Sequence, residues 1–234
     1  IICTYKRCES IKMLIKSISE CIRIPDSIIV VDGSTDDITR EFIIGLSTNY
    51  LKINYYKVGP GDRGLTKQRN FGISHLSVDT EIIAFLDDDI VVEKDYFEKI
   101  LYTYSNYPDA IGVGGIDLKG NEYFPVGEGI KYRKFRYYEL DGWAVKEPLR
   151  YRARKILGLM TNLQPGLIPE YSNGRSALPP SGRTYNVEHF MGGIASYKRY
   201  LFDYIEFSTY FEGYGLYEDF DFCVRALPYG NLYV

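Results

Sequence analysis

The sequence predicts an α/β fold, with a mostly parallel central sheet flanked by helices and an irregular second half. Two observations carry this. In the first half, short runs that are apolar throughout alternate with stretches of helical spacing. Strands apolar on both faces belong to sheets covered on both sides. Polar residues gather where three of those runs end, at Thr4-Tyr5-Lys6-Arg7, Asp32-Gly33-Ser34 and Asp87-Asp88-Asp89. Ligands of such sheets sit beyond the carboxyl ends of the strands.

In order, residues 1–4 read as a strand. Residues 10–22 have helical spacing, with Ile11, Leu14, Ile15 and Ile18 on one face. Residues 27–32 form a continuous apolar strand, then a Gly-Ser-Thr turn leads to a helix over 36–46. A strand over 53–58 ends at the breaker Gly59-Pro60-Gly61. Helix 65–76, buried strand 81–86 and helix 95–104 follow. The second half is less regular. Residues 131–155 are basic and aromatic, and 163–187, with four prolines and three glycines, read as a long binding or lid loop. Glu218-Asp219-Phe220-Asp221 opens a helix running to Ala226, and 231–234 look like the start of a strand.

Composition bounds the function. With 234 residues, 45% hydrophobic and 25% charged, the chain is an ordinary globular domain able to bury a core. A net charge of −3 excludes a nucleic-acid partner bound by bulk charge. No apolar run has the length of a membrane helix. Four cysteines without a CxxC pair suggest a reducing compartment, hence a cytoplasmic location. Two histidines are too few for a His-based metal site. The 23 tyrosines suit sugar or nucleobase contact. The chain opens in a strand and stops in one, which is expected of a piece of a longer chain.

Asp87-Asp88-Asp89 places three mutually repelling carboxylates at a strand end, where a cation relieves them. Their oxygen ligands favour Mg²⁺ or Mn²⁺ bridging to substrate phosphates. Asp32 is expected either to accept a hydrogen bond from a base or ribose or to belong to a simple turn in which Ser34 or Thr35 caps the next helix. Lys67 and Arg69 enter a helix after a glycine turn, as cations able to neutralise a diphosphate or as a solvated helix face. At the start of the last helix, Glu218 and Asp219 are candidates for a general base, or simply match the helix dipole. Asp221 and Arg225, at i and i+4, are expected to pair. Gly192-Gly193 permits close backbone approach to a substrate, or a turn. His189 reads as structural.

Together, Ile2-Cys3-Thr4-Tyr5-Lys6-Arg7, Val31-Asp32-Gly33-Ser34-Thr35-Asp36, Lys67-Gln68-Arg69-Asn70-Phe71-Gly72, Phe85-Leu86-Asp87-Asp88-Asp89, Met191-Gly192-Gly193 and Tyr217-Glu218-Asp219-Phe220-Asp221 resemble, in order, the motifs of family 2 glycosyltransferases of the GT-A fold. The resemblance implies one GT-A domain over 1–234. Residues 1–116 would be its nucleotide-sugar half, and 117–234 its acceptor half with an insert at 117–187. It implies an inverting transferase that moves a sugar from a nucleotide-diphosphate donor, UDP expected, to a hydroxyl acceptor such as a growing glycan or lipid-linked saccharide. Thr4, Tyr5 and Arg7 would line the nucleotide pocket, with Asp32 holding the base and Lys67 and Arg69 nearby. Asp87, Asp88 and Asp89 would form the acidic motif, with Asp89 and Asp87 as metal ligands. Gly192 and Gly193 would lie near the donor sugar, with Asp219 the base and Glu218 its fallback. Lys6, where the family commonly has Asn, departs from the pattern, as do Lys67-Gln68. The polybasic stretch 131–155 attracts anionic lipid if it meets a membrane's inner face, but solvated surface charge is its ordinary reading. Competing readings are a sugar nucleotidyltransferase, which lacks its glycine-rich loop here, a phosphate-accepting signalling domain, and an inactive carbohydrate-binding relative.

Overall fold

The computed structural model describes residues 1–46, 51–127, 132–170, 174–211 and 215–234; Lys131 lies outside them. The first half consists of strand–helix units: β1 (Ile2–Thr4), α1 (Cys8–Ser19), β2 (Ile28–Asp32), α2 (Ile38–Gly45), β3 (Ile53–Lys57), α3 (Leu65–Ser74), β4 (Ile82–Asp87), α4 (Tyr96–Asn106) and β5 (Ala110–Gly114). An excursion follows, with β6 (Tyr123–Pro125), β7 (Tyr137–Leu140), β8 (Trp143–Lys146) and α5 (Leu149–Ile156). The chain then returns through β9 (Asn186–Val187), β10 (Ile194–Lys198), α6 (Glu218–Ala226) and β11 (Asn231–Tyr233).

The central sheet has the order β3-β2-β1-β4-β10-β5-β11-β9. Neighbours β3, β2, β1 and β4 pair in parallel, as expected from their all-apolar runs. β10 inserts antiparallel between β4 and β5, and β9 pairs antiparallel with β11. Thus the carboxyl ends of β1, β2, β4 and β5 share one rim, and β10 starts at it.

Helical spacing put the correct face of α1 inward. Ile11, Leu14, Ile15 and Ile18 are buried and pack with Ile2, Val30, Leu86 and Phe97. The other core is aromatic. Phe207 stacks on Phe222 at 4.3 Å, and Phe85 and Tyr197 pack edge-on around them. Of the four free thiols, Cys3 and Cys223 are pushed up to about 12 by burial, which leaves them unreactive.

Two expectations change and one is refined. Ser34 and Thr35 do not cap α2, whose first turn follows Asp37 without a side-chain cap. The Ser34 hydroxyl instead accepts from the Lys6 N–H at 2.7 Å. The basic stretch keeps Arg133, Lys134, Arg136, Lys146 and Arg150 exposed, as expected, but it is also ordered, because its β7 and β8 join β6 in a separate antiparallel sheet. Glu147 holds that excursion together: it is fully buried, ion-paired to Lys155 of α5 and to Arg175 at 2.8 Å. Finally, 110–114 and 194–198 are strands where the sequence reading had none.

Gly112 sits in the middle of β5. A Cβ there would lie 2.6 Å from Leu232 Cδ2 and 2.8 Å from the Tyr197 ring. Gly112→Ala is therefore expected to destabilise the fold by about 1–3 kcal/mol, seen as a lower urea midpoint at unchanged slope.

Candidate active site

The site lies on the rim where β1, β2 and β4 end. The β1 exit is held by backbone and side-chain ties. Gln68 of α3 donates to the Thr4 and Val31 carbonyls at 3.2 and 2.8 Å, joining β1 to β2. Lys6 occupies the left-handed region at φ 56. Gly and, less readily, Asn tolerate that conformation best, so a lysine there is strained.

Asp88, the middle carboxylate of the acidic run, points inward. It is 5% exposed and accepts from Thr4 Oγ1 at 2.7 Å and Arg7 Nη1 at 3.1 Å. Asp87 and Asp89 flank it with side chains 46% and 57% exposed. Arg7 also reaches Asp89 Oδ2 at 3.0 Å. Burial pushes the Asp87 carboxyl above the usual range; Arg69 opposes this, and Asp89 and Asp88 add to it. Burial also raises Asp88, against its bonds from Thr4 and Arg7.

This donor set fits a hard divalent cation. Two half-exposed carboxylates stand on a strand end amid mutual repulsion. Among the described residues no group of three or more His, Cys, Asp or Glu side chains is placed to hold a metal, so a cation here would have only these two carboxylates from the protein. Mg²⁺-type ions bind that way, through one or two carboxylates with the remaining positions left to phosphates and water.

Arg69 is the centre of the arrangement. It is 2% exposed. Nη1 donates to Glu218 Oε1 at 2.5 Å, and Nη2 to the Gly192 carbonyl at 3.2 Å and Asp87 Oδ1 at 3.4 Å. Its guanidinium lies over the Phe207 and Phe85 rings, 5.1 and 5.8 Å from their centroids. Next to it, Asn70 exchanges two hydrogen bonds with the Phe207 backbone, at 2.8 and 3.0 Å. Arg69 therefore braces the acidic strand end against the start of α6.

Burial bears on two further expectations. Asp32 is fully buried, with Oδ1 taken by the Ser34 N–H at 2.7 Å and Oδ2 by the Tyr55 hydroxyl at 2.8 Å, so as folded it pins the β2 exit. Glu218 is 5% exposed and bonded to Arg69. Burial raises its carboxyl to about 7, with Arg69 pulling down and Asp219 pushing up.

Asp219 is half-buried at the first turn of α6. Oδ2 accepts from the Gly192 N–H at 3.1 Å and Oδ1 from the Phe220 N–H at 2.8 Å. Tyr217, just before it, is held at φ 69, a strained conformation for a bulky residue and one that clusters at functional sites. Gly192 and Gly193 separate the two carboxylate groups. A Cβ at Gly192 would lie 2.8 Å from Asp219 Cβ, and one at Gly193 would overlap the Asp87 carboxylate. The pair is therefore glycine because Asp87 and α6 crowd it. The remaining candidates sit at the edge: Tyr5 is exposed under Lys6, and Lys67 is half-buried on α3. His189 packs against Phe220, and Asp221 and Arg225 pair at 2.6 Å as expected.

The sequence reading missed Gln68, Asn70, Tyr55 and Phe207. The first two lay inside a quoted motif but carried no assigned role. Tyr55 and Phe207 gave no signal, since only the fold brings them to Asp32 and Arg69.

Comparison with known proteins gives the family and the fold. A family model, Glycosyl transferase family 2, matches residues 1–205. The chain belongs to glycosyltransferase family 2. A curated relative, a glucosyl-dolichyl phosphate glucuronosyltransferase of Haloferax volcanii, is 31% identical over 120 residues, covering 49% of this chain and 36% of its own. Two solved structures share the fold. The mannosyltransferase PcManGT from Pyrobaculum calidifontis, in complex with GDP-Man and Mn²⁺, superposes with a TM-score of 0.53 at 16% identity, over 89% of this chain and 46% of its own. Residues 1–349 of S. aureus TarS superpose with a TM-score of 0.57 at 15% identity, over 99% of this chain and 56% of that one. The chain thus spans about a third to a little over half the length of these relatives. The family match stops before Glu218 and Asp219, whose placement here rests on the geometry of α6.

Two outcomes follow. Lys6→Asn relieves the left-handed strain and is expected to raise stability by about 0.5 kcal/mol, read as a higher thermal midpoint. Glu218 binds its proton more tightly folded, at about 7, than unfolded, near 4.5. Its contribution to stability is therefore fully present below pH 4.5 and lost as pH rises through 7. Denaturation across that window should show the wild type losing stability relative to Glu218→Gln; parallel curves would refute the assignment.

Proposed function

We propose that the chain is the catalytic domain of an inverting glycosyltransferase that moves a sugar from a nucleotide-diphosphate donor to a hydroxyl acceptor. One observation carries this reading: Asp87 crowds Gly193 and the half-buried Asp219 crowds Gly192, so two carboxylates flank one glycine pair on the strand-end rim, with exposed Asp89 two residues beyond Asp87. One buried arginine braces Asp87 and the start of α6. An acidic strand end beside a separate carboxylate suits a donor diphosphate on one side and an acceptor hydroxyl on the other.

Asp89 and Asp87 would hold a divalent cation, Mg²⁺ or Mn²⁺, which when bound offsets charge on the leaving diphosphate. Thr4 and Arg7 fix Asp88 beneath that pair and set its direction. The nucleotide lies along the β1 and β2 exits, where Tyr5 offers an exposed ring and Asp32 keeps the loop in place. UDP is the proposed donor base. Asp219, with its orientation set by the Gly192 N–H, takes the acceptor proton as the hydroxyl oxygen attacks the anomeric carbon. A single displacement of this kind inverts the anomeric configuration. The curated relative's name mentions a dolichyl phosphate-linked glucose, which supports a lipid-linked saccharide as one acceptor class.

The test is a thermal-shift panel of UDP, GDP and their sugars with and without Mn²⁺, followed by transfer assays. A ligand at 100 times its Kd stabilises by about 2.7 kcal/mol. The expected result is a Mn²⁺-dependent shift with one nucleoside diphosphate that is lost in Asp89→Ala. Asp219→Asn should keep the shift and lose transfer by about 100- to 10,000-fold in kcat. No shift with any nucleotide in a folded sample overturns the reading.

A further inference from the structure

The excursion after β5 carries a surface that the transfer chemistry does not use. It leaves the sheet at Gly115, whose N–H bonds to the Ile194 carbonyl, next to the Gly193 carbonyl that receives the Asp87 N–H. The excursion therefore starts on the same rim as the acidic motif. Within it, α5 is fastened by one face: Tyr151 is buried and bonded to the Gly174 carbonyl, and Lys155 is paired with buried Glu147.

The opposite face is apolar and points outward. Leu149, Ala153 and Ile156 fall on one stripe by the i, i+4, i+7 rule, and Leu149 and Ile156 are 73% and 74% exposed. The turn after the helix continues it with Leu157 and Leu159, 68% and 64% exposed. Arg150 and Arg152 flank the stripe. Half-exposed Phe135 lies by Lys155 on the fastened side, and its neighbours Lys134 and Arg136 are exposed. A helix in a globular protein ordinarily turns its apolar stripe to the core, and this one does the reverse.

Charge sets the partner. Residues 132–163 hold eight Lys and Arg against three Asp and Glu, a local +5 in a chain whose net charge is −3. An outward apolar stripe rimmed by arginines and lysines is complementary to an anionic lipid leaflet, where the apolar side chains enter the headgroup boundary and the cations meet lipid phosphates. A second copy of the chain is a poor fit, because an isologous contact would bring two such cationic patches together.

We propose that α5 and the Leu157–Leu159 turn dock this chain onto an anionic membrane surface. The docked rim then faces lipid-anchored acceptors. This last step rests on the transferase reading, whereas the docking itself does not.

The experiment is co-sedimentation of the chain with phosphatidylglycerol-containing vesicles and with pure phosphatidylcholine vesicles, at low and high salt. Binding to the anionic vesicles that weakens with salt is expected, with little binding to neutral ones. The exposed double variant Ile156→Ser/Leu157→Ser should lower the partition coefficient about tenfold or more. Arg150→Ser should lower it about fivefold, with circular dichroism and the donor thermal shift unchanged in each variant. No binding to anionic vesicles by a folded chain overturns the proposal, as does binding that both variants leave intact. A dimer in light scattering that the double variant dissolves would overturn it in favour of self-association. Failed vesicle binding with an intact donor shift refutes only the docking; a missing donor shift refutes the transferase reading instead.

Discussion

The buried guanidinium of Arg69 is the interaction on which the site depends. A charge taken from water must be paired, and breaking a buried pair leaves its partner uncompensated. Arg69 meets this requirement with Glu218, Asp87 and the Gly192 carbonyl, and lies over two aromatic rings. Those partners come from α6, β4, the 192 turn and the 207 segment, which are far apart in the chain. Satisfying one cation therefore fixes the acidic strand end relative to the helix that carries Asp219. The glycine pair between them follows, since neither position has room for a side chain.

The carboxylates of the rim divide by burial. Asp32, Asp88 and Glu218 are buried and bonded to protein donors, so they shape the backbone around the site. Asp87, Asp89 and Asp219 keep exposed area and remain able to meet a ligand. Neighbouring residues in one motif thus do opposite work: in the turn after β4, Asp88 is drawn in by Thr4 and Arg7 while Asp89 stays exposed. Glu218 and Asp219 differ in the same way, 100° apart around a helix.

The excursion between β5 and β10 is built on a separate principle. It has its own small sheet, and its polar centre is Glu147 with Lys155 and Arg175. Tethering α5 by Tyr151 and Lys155 leaves its apolar stripe facing solvent beside a concentration of cations. The fold therefore gives this insert a surface distinct from the catalytic rim while rooting it at that rim.

The first four strands and four helices were legible in the sequence, because unbroken apolar runs and a 3.6-residue period report local burial directly. Also legible there were the gathering of acidic residues at strand ends, the start of α6 at Glu218, and the resemblance of the chain to its family. Tertiary structure decided the rest. Whether a carboxylate is a strut or a ligand depends on which distant donors reach it, as Tyr55 reaches Asp32 and Arg69 reaches Glu218. Strand 194–198 was illegible because an antiparallel strand between two parallel neighbours is specified by pairing, not by its own pattern. Glycines 192 and 193 read equally as a turn or as a substrate approach until packing showed them crowded by Asp219 and Asp87. Local pattern fixes which face of an element is buried; only the assembled sheet fixes what that face meets.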